Sequence, residues 1–159
     1  MHTIIFATNN EHKIKEIQSL VGNDFTIITL EQAGIDIDIP EPHDTLQENA
    51  YEKAITIENI TKQNCFSEDT GLEIEALNGE PGVKSARYAD ENRNFQANID
   101  KVLEKLEGIT NRKAQFRTVI CLLWNKEVFY FEGICKGNIA ETMHGAEGFG
   151  YDPIFIPEG

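Results

Sequence analysis

The stretch TIIFATNNEHKIKEIQSLVG, residues 3–22, limits the possible folds more than any other. TIIFAT is dense in β-branched and aromatic residues and reads as a short buried strand. The period then changes at once. Ile14, Ile17, Leu20 and Val21 recur at helical spacing, and Gly22 suits a helix end. Strand, tight turn and helix follow one another directly, and FTIITL (25–30) is a second strand. Such a chain packs helices on a sheet.

The remaining pattern keeps both periods. DIDIPEPHD is a proline-bearing loop, and a helix starts near Asp44 or Thr45, either a possible N-cap. Its apolar stripe is Leu46, Ala50, Ala54 and Ile57. CFSEDTGLEIEAL (65–77) reads as a strand, a turn at Thr70-Gly71 and a second strand. NGEPGVKSARYADEN is a Gly/Pro loop. FQANIDKVLEKLEG is an amphipathic helix through Phe95, Ile99, Val102, Leu103 and Leu106, stopped by Gly108. AQFRTVICLLWNKEVFYFEGICKGNI is a β-hairpin turning near Asn125-Lys126, and a glycine-rich loop with a short strand ends the chain. The expected class is α/β around a mixed, twisted sheet with flanking helices. A doubly wound sheet fits only the first half.

Fourteen basic residues against twenty-seven acidic ones leave a formal charge of −13. That argues against non-specific nucleic-acid binding and against an anionic membrane surface. An anionic ligand would have to be held locally, by a few lysines, backbone N–H groups and a metal. No apolar run approaches the ~20 residues that span a bilayer, and a cytoplasmic address is expected. Cys65, Cys121 and Cys135 form no CxxC pair and read as buried small hydrophobes. The four histidines show no metal spacing.

Several segments offer chemistry. In TNNEHK (8–13) a strand meets a helix N-terminus, where unpaired N–H groups and the helix dipole attract anions. Thr8, Asn9 and Asn10 can cap and donate, and Lys13 can reach a phosphate; the local pattern by itself favours a plain N-cap with a solvent lysine. Glu68 and Asp69 are a surface turn or a Mg²⁺ site. Strand parity sends them to opposite faces without telling which faces a ligand. Glu41 is held between two prolines, and Lys53 is a solvated lysine or a second phosphate clamp. Arg87 in PGVKSARYAD pairs with an acid or a phosphate. In EGFGYDPIF, Phe149 and Tyr151 offer stacking faces between permissive glycines, or fill a core.

Taken in order, TNNEHK, EPHDTLQENAYEKA, EDTGLEIEAL, PGVKSARYA and GFGYDPIF resemble the inosine triphosphate pyrophosphatase family, whose bacterial members are dITP/XTP pyrophosphatases. The resemblance covers nearly the whole chain, and PGVKSARYA and GFGYDPIF are its most specific pieces. It implies an elongated α/β fold with two lobes around a central cleft, and a Mg²⁺-dependent homodimer. It implies hydrolysis of deaminated purine nucleoside triphosphates (ITP, dITP, XTP) to monophosphate and pyrophosphate.

By motif match, Thr8, Asn9, Asn10, Glu11, His12 and Lys13 would hold the triphosphate, and Lys53 would face a phosphate. Glu41, Asp69 and Glu68 would be the metal-associated acids, with Asp69 accepting the proton of the attacking water. Thr70 would touch the nucleotide. Phe149, Gly150, Tyr151 and Asp152 would form part of the base pocket, with Phe149 stacking. Asn9 stands where a glycine is frequent, and Glu-Asp-Thr where Asp-Asp-Ser is. The family's lysine and Ser-His-Arg segment and final helix do not follow IFIPEG, so residues 1–159 are expected to be one domain truncated at its C-terminus. A non-catalytic purine nucleotide-binding module is the alternative.

Overall fold

The computed structural model describes residues 2–39, 42–89, 92–144 and 150–158. The opening run folds as β1 (His2–Phe6), α1 (Glu11–Val21) and β2 (Phe25–Ile28). β1 and β2 are parallel, with Ile4 opposite Ile27. Parallel neighbours need a crossover, and α1 supplies it. Next come α2 (Leu46–Thr61), β3 (Cys65–Ile74), β4 (Pro81–Gly82), α3 (Phe95–Lys105), β5 (Lys113–Trp124), β6 (Glu127–Ile139) and β7 (Phe155–Pro157). Hydrogen-bonded neighbours run β2-β1-β3-β5-β6-β7, with β4 beside β3. β1 and β3 are parallel, whereas the β3–β4 and β6–β7 pairs are antiparallel. The expected mixed α/β class is the observed one.

Of the two candidate caps of α2, Thr45 is used: its hydroxyl accepts the Glu48 N–H at 3.1 Å. The β5–β6 turn lies at Asn125 and Lys126, with φ of 49° and 69°. Two successive left-handed residues match the twist of the strands they join. Gly137 is required by its neighbour, because a Cβ there would collide with the Ile156 carbonyl across the β6–β7 pair.

Three expectations are corrected. CFSEDTGLEI does not turn at Thr70-Gly71; it is one ten-residue strand, β3. Extended pairing continues past the glycine, with Leu72 opposite Gly82 and Glu73 opposite Pro81, so the acids lie within the strand and do not end it. Cys65 and Cys121 are buried, but Cys135 is exposed on β6, where residues 127–136 are all open to solvent. In α3, Ile99, Val102 and Leu106 are buried as the stripe predicts, while Phe95 at its N-terminus is 40% exposed.

The chain divides into two compact units. Unit 1 comprises residues 1–69 and 119–131, and unit 2 residues 70–118 and 132–159. In unit 1, Phe6 stacks on Phe66 at 4.3 Å among Ile4, Ile27 and the α1 residues Ile14 and Ile17. On the opposite side of β3, Cys65 Sγ donates to the Ala54 carbonyl and Ser67 Oγ to the Ala50 carbonyl of α2. The core of unit 2 is built from Leu72, Ile74, Tyr88, Ile99, Val102, Leu106, Ile139, Tyr151 and Ile154. Among the described residues no helix is long and apolar enough to cross a membrane.

Burial disfavours a thiolate. It pushes the Cys65 thiol up to about 12 and the Cys121 thiol up to about 11. At pH 8 both remain protonated and unreactive. Iodoacetamide is therefore expected to modify Cys135 alone in native buffer and all three cysteines in denaturant, as counted by intact-mass spectrometry.

Candidate functional site

The β1–α1 junction is built around Asn10. Its side-chain oxygen accepts the N–H groups of His12 at 3.0 Å and Lys13 at 3.3 Å. Thr8 Oγ1 accepts the Asn10 N–H at 3.2 Å, and Asn9 Oδ1 accepts the Glu31 N–H at 2.9 Å. Two of the first-turn donors expected to face an anion are thus satisfied within the chain. What the junction presents outward is the exposed side chains of Asn9, Glu11 and His12, with Lys13 half-buried.

Lys13 is not a free solvent lysine. Its Nζ is ion-paired with Glu68 Oε1 of β3. Lys53, on α2, donates from Nζ to the Glu68 carbonyl at 2.6 Å and lies 3.9 Å from Asp69 Oδ1. Strand alternation accounts for this division. Phe66 and Glu68 look toward α1, whereas Cys65, Ser67 and Asp69 look toward α2. The acidic pair is therefore split across the two faces of the strand, and each carboxylate has its own lysine. The environments differ: Glu68 and Lys13 are 21% and 42% exposed, Asp69 and Lys53 only 10% and 14%.

Thr70, the first residue of unit 2 on β3, is exposed, and its hydroxyl lies 2.8 Å from that of Thr118 on β5. Thr118 carries no signal in the sequence, since a threonine in a strand is ordinary; only the strand pairing brings the two hydroxyls together. Glu73, three residues farther along β3, is held by Gln115 at 2.8 Å and by Arg117 at 3.0 Å.

The PGVKSARYA and GFGYDPIF motifs meet in unit 2. Tyr151 is buried, and its phenol donates to the Ser85 carbonyl at 2.6 Å. Burial drives that phenol well above the usual tyrosine range, so it keeps its proton. Its ring lies within the unit 2 core and presents no open face for stacking. Gly150 has a left-handed φ of 60°, and Asp152 is exposed at the start of a short turn through Pro153. Arg87 closes the turn Ser85–Arg87. Glu41 and Phe149 lie outside the described residues. Among those described, no three His, Cys, Asp or Glu side chains gather as a metal cluster. Hollows among the described residues include an apolar one of about 520 Å³ in unit 1 beside Phe66 and Trp124, and one of about 360 Å³ in unit 2 between Lys113 and Lys136. Neither is lined by Glu68, Asp69 or either of their lysines.

A family model described as the Ham1 family matches residues 4–159. The chain belongs to the Ham1 family. This Ham1-family chain is 51% identical over 156 residues to a protein of Flavobacterium psychrophilum named dITP/XTP pyrophosphatase, covering 98% of the chain and 82% of that relative. A Porphyromonas gingivalis protein of the same name is 49% identical over 160 residues, covering 100% and 82%. The solved Staphylococcus aureus Ham1 protein superposes with a TM-score of 0.88 at 41% identity, over 96% of this chain and 80% of that one. The relatives carry the name of the activity that the motif order implies, and the family resemblance is borne out.

The two lysine–carboxylate pairs should differ in their weight. Exposed pairs contribute about 0–1 kcal/mol, so Glu68→Gln is expected to lower unfolding free energy by less than ~1 kcal/mol. Lys53→Met removes the donor to a strand carbonyl and the cation beside a buried carboxylate, at a cost of roughly 2 kcal/mol. Urea unfolding of both variants measures the difference.

Proposed function

We propose that this protein hydrolyses deaminated purine nucleoside triphosphates (dITP, XTP and ITP) to the monophosphate and pyrophosphate. The observation that carries the proposal is the pairing of Lys13 with Glu68 and of Lys53 with Asp69 on the two faces of β3. It supplies two carboxylates at adjacent positions of one strand, each beside an ammonium group from a different helix. The names of relatives about 50% identical over nearly the full chain support the substrate class.

In this reading Asp69 is the proton acceptor for the attacking water. A buried carboxylate held on a strand is well placed for that, since general bases act from fixed positions. Lys13 and Lys53 offset charge on the triphosphate, and the Thr70 hydroxyl contacts the nucleotide. A phosphate that engages Lys13 exchanges one anion for another, releasing the Glu68 carboxylate.

Mg²⁺ is the proposed cofactor. It typically takes one or two carboxylates together with substrate phosphates and waters. Asp69, on the α2 face of β3, would provide a hard oxygen donor of that kind; Glu68, on the opposite face, would not reach the same ion while the strand stays extended. Bound there, Mg²⁺ would neutralise phosphate charge and orient the pyrophosphate leaving group. The same reading carries a homodimer acting on the cytoplasmic nucleotide pool; sedimentation velocity tests the dimer.

The decisive assay supplies dITP or XTP with Mg²⁺ and identifies the products. Pyrophosphate and monophosphate are expected, with activity abolished by EDTA and restored by Mg²⁺. Asp69→Asn should slow turnover by about 10²–10⁴-fold while the protein still unfolds cooperatively. Release of orthophosphate would refute the reaction proposed. Nucleotide-dependent thermal stabilisation without any turnover would instead identify a binding module.

A further inference from the structure

Four polar contacts converge on Ser85, which is buried in unit 2. Its Oγ accepts the Leu72 N–H at 2.8 Å and donates to the Gly82 carbonyl at 2.6 Å. Its carbonyl accepts the Tyr151 phenol at 2.6 Å and Asn98 Nδ2 at 3.4 Å. Asn98, also buried, further donates to the Ala86 carbonyl at 3.0 Å and accepts the Ala89 N–H at 2.8 Å. The turn Ser85–Arg87 is thereby tied to α3, to β3 and to the segment after Gly150.

Two ends of this network lead to residues read as nucleotide contacts. Leu72 follows Thr70 by two residues on β3, and Tyr151 lies between Gly150 and Asp152. Gly150 has a left-handed φ of 60° and little conformational preference of its own. The segment's placement must therefore come from an external anchor, and the phenol of the next residue provides one. Because that phenol stays protonated, it remains a donor at every physiological pH.

We propose that Tyr151 is a positioning residue: anchored on the Ser85 carbonyl, it fixes the Gly150–Asp152 segment relative to Thr70 and so sets how strictly the protein discriminates among purine bases. The proposal rests on the pyrophosphatase reading above. Discrimination between a 6-keto and a 6-amino purine depends on hydrogen-bond donors and acceptors held in place, because a misplaced site gives either base equally poor partners. Losing the anchor should therefore weaken binding and flatten selectivity, and leave the proton-transfer chemistry at Asp69 intact.

Tyr151→Phe removes the hydroxyl and keeps the ring in its core position. Tyr88→Phe is the control, since that phenol sits in the same core as Tyr151 but donates at 2.9 Å to Glu80 and not to the Ser85 carbonyl. The two variants and the wild type are compared for pyrophosphate release from dITP, XTP and dGTP, alongside melting temperature. Tyr151→Phe is expected to raise KM for dITP and XTP about fivefold, the worth of one neutral hydrogen bond. Its kcat should stay within about twofold, and its preference over dGTP should narrow by a similar factor to KM. Tyr88→Phe should lower the melting temperature and leave the preference unchanged. An active wild type with the same preference as Tyr151→Phe overturns this inference alone, as does a loss confined to kcat. A wild type inert on all three nucleotides overturns the pyrophosphatase reading and this inference with it.

Discussion

Side-chain alternation along β3 is the constraint on which the candidate site depends. A strand sends successive side chains to opposite faces, so Glu68 and Asp69 cannot share one environment while the strand stays extended. Glu68 meets Lys13 at the start of α1, and Asp69 lies beside Lys53 of α2. The same alternation sets the packing before the acids: Phe66 stacks on Phe6, while Cys65 and Ser67 bond the carbonyls of Ala54 and Ala50. Moving the register by one residue would exchange every one of these partners. The chemistry of the acids and the packing of unit 1 are thus consequences of a single choice of register.

A second theme is the use of buried polar groups where a small domain could have used apolar ones. Ser67, Asn49, Ser85 and Asn98 are all buried. Each bonds a backbone group: Asn49 Oδ1 accepts the His43 N–H at 2.9 Å and holds the loop before α2, and Ser85 and Asn98 hold the turn after β4. Buried polar groups stabilise only when satisfied, and then they specify one geometry. Ser67 ties β3 to α2, while the segments held by Asn49, Ser85 and Asn98 are a loop and a short turn that no ladder of strand bonds would fix. Satisfied side chains replace the ladder there.

The strong negative charge of the chain does not conflict with a polyphosphate ligand. Screening confines the influence of distant surface charges to about 8–10 Å at ordinary ionic strength. What matters is the immediate setting, where two lysines balance two carboxylates on β3. In the reading proposed above, an incoming phosphate would compete with Glu68 for Lys13 and would not face a bare anionic wall.

The first strand–helix–strand run, the apolar stripe of α2, the β5–β6 hairpin and its Asn125-Lys126 turn were legible in the sequence, because each rests on local periodicity or turn chemistry. The order of the motifs likewise disclosed the family. The continuity of β3 was not legible. Thr70-Gly71 carries a turn signature, and it is pairing with neighbouring strands, β5 and β4, that keeps β3 extended through it. Nor could spacing assign Lys13 to Glu68, fifty-five positions away, or Tyr151 to the Ser85 carbonyl, sixty-six positions away. Sequence by itself determined which elements form and which chemical groups they carry, since those depend on neighbours along the chain. Tertiary structure alone decided which acid meets which lysine, and that Tyr151 faces inward, because those outcomes depend on strand register and on burial shared among residues distant in sequence.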